Sequence, residues 1–213
     1  MRLLLLGPPG AGKGTLGRTL SRRFGIPHVA AGDIIRIHIA RRTEFGRSVE
    51  AQIAHGNFAS DADILYWVSR RLEELDTADG YVLDGFPRAV SQAVAFEGIL
   101  DAVLWLNIDE AERQKRLAGR LTCPECGSIY HRSALPPIRR WMCDLDGTEL
   151  IRRPEDDQDE RRQRIYREVT APLESYYAAR GLVVPINAAG SPEQVTAQAM
   201  QALSGRRLAI ARF

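Results

Sequence analysis

The chain of 213 residues is 45% hydrophobic and 26% charged, the composition of a folded globular domain that buries roughly 70% of its unfolded surface and not of a disordered or membrane-spanning chain. Its 29 basic and 27 acidic residues leave a formal net charge of +2. That is too little for a field that gathers nucleic acid or a membrane surface, so any anion site must be local.

Residues 2–6 are an unbroken apolar run with a glycine-rich turn directly behind it, the mark of a buried parallel strand. The run is too short for a signal core or a membrane span, so the chain is expected to stay in the cytoplasm. A helix follows over 13–24 and a weak strand over 28–30; residues 32–60 read as helical and polar with no strand of their own. A helix over 62–75, strands over 81–83 and 103–108, and a helix over 110–120 come next. Residues 122–159 hold all three cysteines, the Pro136-Pro137 pair and several turn signals. The pattern then resumes with a helix over 159–179, a strand over 182–186 and a helix over 192–203, while 206–213 carries no signal.

Strands alternating with amphipathic helices imply right-handed crossovers and ligands at the strands' carboxyl ends. The expected fold class is therefore α/β: a five-stranded parallel sheet of phosphate-loop NTPase type, flanked by helices. Residues 1–29, 60–121 and 160–213 form its core, with inserts at 30–59 and 122–159.

Gly7-Pro8-Pro9-Gly10-Ala11-Gly12-Lys13-Gly14-Thr15 lies between the first strand and the first helix, the context a phosphate-binding loop requires. Glycines let successive backbone N–H groups turn inward around a phosphate at a helix N-terminus, and Lys13 adds a mobile positive charge. A nucleotide-triggered switch would be expected to place a serine or threonine directly after the lysine. Here that place holds Gly14, and the hydroxyl arrives at Thr15.

Gly32-Asp33-Ile34-Ile35-Arg36 opens the first insert, and Asp84-Gly85-Phe86-Pro87-Arg88, with Gln92 four residues on, follows the third strand. Arg36 and Arg88 suit bidentate gripping of phosphate oxygens. The Gln92 amide, one donor and one acceptor side by side, suits an adenine edge.

In the second insert, Cys123-Pro-Glu-Cys126 and Cys143-Asp-Leu-Asp146 form two short knuckles. Three thiolates and a carboxylate suit a four-coordinate structural Zn2+ with no position left for a reacting water; iron is chemically allowed. A nucleic-acid-binding ribbon is the rival reading, but the domain has no basic excess to support it.

Together these motifs, in this order over nearly the whole chain, resemble the adenylate kinases, in the long form with a full zinc-binding lid. The resemblance implies reversible phosphoryl transfer from Mg2+-bound ATP to AMP, giving two ADP, by a monomer. It places Gly10, Ala11, Gly12, Lys13, Gly14, Thr15, Arg116, Arg120, Ile129, Tyr130 and Gly190 at ATP. Ala31, Arg36, Asn57, Phe58, Ala59, Gly85, Phe86, Pro87, Arg88, Gln92, Arg153 and Arg164 fall at AMP, with Gly56 just before them. Lys13, Arg88, Arg120, Arg153 and Arg164 would carry the transfer, and Asp84 would hold magnesium through its water shell. Arg153-Pro-Glu155-Asp156 resembles the family's Arg-x-Asp-Asp with Glu155 for the first acid, and Arg164 is the arginine eleven residues beyond Arg153. Ala31 stands where adenylate kinases usually carry threonine, while kinases acting on UMP or CMP tend to have alanine, so a pyrimidine acceptor is the alternative.

Overall fold

The computed structural model describes residues 1–54, 59–96 and 98–210. Five strands, β1 (Arg2–Leu6), β2 (His28–Ala30), β3 (Tyr81–Asp84), β4 (Ala102–Asn107) and β7 (Val183–Asn187), form one sheet in the order β2-β3-β1-β4-β7. Every pairing in it is parallel. The apolar run of β1 is continuous because both of its faces are covered. Leu3 and Leu5 pack with Leu16 and Leu20 of α1 (Lys13–Phe24) and with Val195, Ala199 and Leu203 of α9 (Pro192–Ile210). Leu4 and Leu6 pack on the other side with Val68 of α4 (Asp61–Leu72), Ala93 of α5 (Val90–Ala95), and Leu173 and Tyr177 of α8 (Leu173–Ala178). Truncating any of these leucines to alanine costs about 2–5 kcal/mol.

Local chemistry sets several boundaries. Ser60 caps α4 by accepting from the Asp63 amide at 3.2 Å. The helix expected to reach residue 75 stops at Leu72, where the Thr77 hydroxyl captures the Leu72 and Glu74 carbonyls at 2.8 and 2.7 Å. Asp109 caps α6 (Glu110–Ala118) by accepting from Glu112, and Arg120 already belongs to the next strand. The single helix expected over 159–179 is three pieces: α7 (Asp159–Ile165), a π-helical stretch over Tyr166–Thr170, and α8. Pro172 has no amide to continue an α-helical ladder, and the Ala171 amide reaches back to the Tyr166 carbonyl at 2.8 Å. The last helix outruns its expected end at residue 203 and continues to Ile210.

The segment between β2 and α4 holds α2 (Ala31–Ala40) and α3 (Glu44–Ala54). The His38 ring of α2 lies 4.0 Å from that of Trp67 on α4, tying this segment to the core. Between α6 and α7 the chain forms an antiparallel pair, β5 (Arg120–Thr122) and β6 (Ile129–His131), over a small core of Leu121, Cys123, Tyr130, Cys143 and Leu150. Among the described residues no helix is long and apolar enough to cross a membrane.

Candidate active site

The loop over residues 7–12 joins β1 to α1 at the carboxyl edge of the sheet. Gly12 takes the left-handed backbone, φ 96°, that turns the chain into α1. The first turn of α1 carries no acidic residue, so the positive end of the helix dipole faces the loop unopposed by its own side chains. Lys13 folds back over the loop, its Nζ donating to the Gly7 and Pro8 carbonyls at 2.7 and 2.9 Å. Desolvation lowers its pKa to about 8 against the pull of Asp84, and the charges of Arg162, Arg88 and Arg120 push the same way as desolvation.

Asp84 ends β3, one strand in from the edge. Burial would raise its carboxyl, but the His28 side chain and the charges of Lys13 and Arg88 outweigh burial and hold its pKa below the usual range. His28 Nε2 lies 3.7 Å from the carboxylate. Arg88 is tethered by its Nε to the Gly85 carbonyl at 2.9 Å; desolvation and the neighbouring Arg162 lower its pKa. Phe86 and Pro87 are buried. The Gln92 side chain is a brace: its Oε1 accepts from the Arg88 amide and its Nε2 donates to Asp61, both at 2.6 Å. A primary amide can make one further hydrogen bond at each end.

In the first insert Ala31, 3% exposed, opens α2 without a hydroxyl. Arg36, one turn on, pairs with Asp33. Ala59 is half-buried; Gly56, Asn57 and Phe58 lie outside the described residues.

Asp156, a buried carboxylate of the second insert, gathers arginines from the two ends of that insert. Asp156 accepts from Arg120 Nε at 2.9 Å and from Arg162 Nη1 at 3.0 Å, and also pairs with Arg120 Nη2. Arg153 Nε donates to the Thr122 hydroxyl at 2.9 Å. The structure places Arg164, the residue expected beside them, on the exposed side of α7; Arg162 is the one that reaches the cleft. Two residues along an α-helix is a rotation of about 200°, so counting eleven residues from Arg153 arrives on the opposite face. The overlooked signal is the three-residue spacing of Asp156, Asp159 and Arg162, which places them on one side of a helical turn.

Arg116 joins two other expected positions, donating to the Gly190 carbonyl at 2.9 Å and the Ala11 carbonyl at 3.4 Å. Ile129 reaches down to the loop, its Cδ1 3.2 Å from where a Cβ on Gly14 would stand. Tyr130 turns the other way, into the lid core, where its hydroxyl accepts from the Asp144 amide at 2.9 Å. Arg18 of α1 also holds the lid, donating to the Gly127 carbonyl at 2.6 Å.

Cys123, Cys126, Cys143 and Asp146 place their ligand atoms within 4.8 Å of one another. The two knuckles have the same geometry. The Gly127 amide returns to the Cys123 carbonyl at 3.0 Å and the Gly147 amide to the Cys143 carbonyl at 2.9 Å, with φ of 69° and 72° at the two glycines. Cys126 and Cys143 sulfurs are 3.6 Å apart and Cys123 Sγ is 3.3 Å from Asp146 Oδ2. Zinc–thiolate bonds of 2.3 Å give tetrahedron edges of about 3.8 Å, so the donor set fits a small tetrahedral cation.

The sequence model of the adenylate kinase family matches residues 5–182. The chain is 41% identical over 213 residues to a protein named adenylate kinase from Streptomyces avermitilis, covering 95% of this chain and 97% of that one. It is 39% identical over 213 residues to an adenylate kinase of Anaeromyxobacter sp. (strain Fw109-5), covering 96% and 100%. With an adenylate kinase of Acidothermus cellulolyticus it shares 41% over 212 residues, 95% and 98% of the two chains.

Proposed function

The chain belongs to the adenylate kinase family, and from that premise we propose how its residues move a phosphoryl group. It is a phosphotransferase that converts ATP and AMP to two ADP, and the nucleotide enters as its magnesium complex. In our reading the loop amides and Lys13 hold the donor phosphates, and Arg36 and Arg88 orient the phosphate of AMP. Arg120, Arg153 and Arg162 neutralise charge spreading over the transferred group; Arg162 takes the place the spacing gave to Arg164. Arg116 and Gly190 border the ATP base, Gln92 reads adenine, and Asp84 holds the water shell of magnesium. Once bound, that ion would supply positive charge against the phosphate oxygens. No general base is needed, because positioning and electrostatics carry the rate.

One observation supports these roles above others. Lys13, Arg88, Arg120 and Arg162 converge on a single cleft with Asp84 and Asp156 among them, a concentration of cations suited to polyphosphate. The segments 30–59 and 122–159 act as the two inserts that close over the nucleotides on the core of 1–29, 60–121 and 160–213. The lid metal is structural zinc. The enzyme works in the cytoplasm as a monomer, with no nucleic-acid or membrane partner.

Ala31 removes a hydroxyl worth roughly 1 kcal/mol to the acceptor, too little to change its class. The test is ADP formation from ATP with AMP, UMP, CMP and GMP offered separately. AMP is expected to give the highest kcat/KM, and a pyrimidine nucleotide ahead of it would overturn the assignment of Gln92 and the acceptor site.

A further inference from the structure

Between the cleft and the lid lies a cation that the transfer chemistry leaves unused. Arg113 sits on α6 with a side chain 1% exposed. Its Nε and Nη2 donate to Glu110, three residues back on the same helix, at 2.8 and 2.6 Å. Its Nη1 and Nη2 donate to Asp159, the first residue of α7, at 2.8 and 2.6 Å. Nη1 also reaches the Pro9 carbonyl of the phosphate loop at 3.3 Å, and the Cγ lies 3.1 Å from where a Cβ on Gly10 would stand. Buried Gln163 adds an acceptor 2.6 Å from Nε when its amide oxygen faces the guanidinium.

A buried ion pair is seldom a better source of stability than apolar packing of the same volume. What an arginine adds is geometry, because its planar fork fixes both the distance and the angle of each carboxylate it grips. The elements so fixed are the helix that leads into the lid, the helix that leads out of it, and the loop that holds the donor phosphates. We propose that Arg113 is a positioning residue: it locks the start of α7 against the phosphate loop and thereby aims Arg162, three residues along that helix, at the transferred phosphoryl group. This rests on the role given above to Arg162.

The test is a double-mutant cycle at 25 °C. Arg113→Met is expected to lower kcat about tenfold or more while KM for ATP and for AMP stays within about threefold. In an Arg162→Ala background the same substitution should change kcat by less than about twofold, yet lower Tm as much as it does alone. Should Arg113→Met not fold, Asp159→Asn, which leaves Glu110 in place, is expected to show a smaller loss of kcat with the same collapse in that background. Equal losses of kcat in both backgrounds, or an undiminished kcat in both variants, would overturn the proposal while leaving the role of Arg162 intact. Full activity in Arg162→Ala alone would overturn that role and the proposal with it.

Discussion

Two charged clusters lie side by side in this molecule, one with cations in excess and one with carboxylates in excess. In the cleft, desolvation and the charges of neighbouring arginines, Arg162 among them, lower the proton affinity of Lys13 and Arg88, with Asp84 and Asp156 close by. Between α6 and α7, Arg113 is matched by Glu110 and Asp159, so its pKa is raised and that of Glu110 falls to about 2, with the Arg113 hydrogen bond the chief cause for Glu110. The charge of Arg113 is more than met by carboxylates of the fold itself, whereas the cleft holds a surplus that phosphates can neutralise. Charge kept in surplus costs stability and serves binding; charge matched internally serves geometry.

The strongest way to break this comparison is to remove a surplus cation. Lys13→Ala should lower kcat/KM by at least about a hundredfold, roughly 3 kcal/mol of transition-state stabilisation. Because a like charge has been relieved, Tm of the nucleotide-free enzyme should hold or rise. A large fall in Tm beside near-normal turnover would mean the lysine is structural.

The lid knuckles sharpen the contrast from the other sign, since they gather thiols and a carboxylate that call for a cation. Chelation should lower Tm by several degrees, each kcal/mol being worth roughly 2–4 °C in a chain of this size. Metal loss with unchanged melting would contradict a structural role.

The smallest effect is read from pH. Lys13 in the free enzyme titrates near pH 8, and bound phosphates raise that value. Binding ATP above pH 8 therefore takes up a proton, and affinity weakens with rising pH by up to about tenfold per unit. The unfolded lysine titrates near 10.4, so between about pH 8 and 10.4 the unfolded chain holds more protons and this group's contribution to stability increases with pH. Titration calorimetry at pH 9 in two buffers of unlike ionisation enthalpy should report the proton uptake, and identical heats in both would refute it.

How much of this was legible in the sequence follows the range of the interactions. The phosphate loop, the apolar run of β1 and the four metal donors are written in local spacing, and the structure brings each together. Arg162 shows in the sequence only through its three-residue spacing from Asp159 and Asp156, a weak mark because Asp156 belongs to a separate short 3-10 turn, Pro154–Gln158. The inward turn of Tyr130 depends on a lid core drawn from residues 121–150. Arg113 showed only an ordinary helical pairing with Glu110, three residues back; the contacts that matter lie 46 residues away at Asp159 and 104 away at Pro9.

The grip of Arg18 on the Gly127 carbonyl has a consequence for how such a lid can change over generations. What is held is a main-chain oxygen at the tip of a tight turn, so the side chains of that turn can drift, and the donor atoms themselves can be exchanged, without loosening the latch. Only the shape of the turn must be inherited.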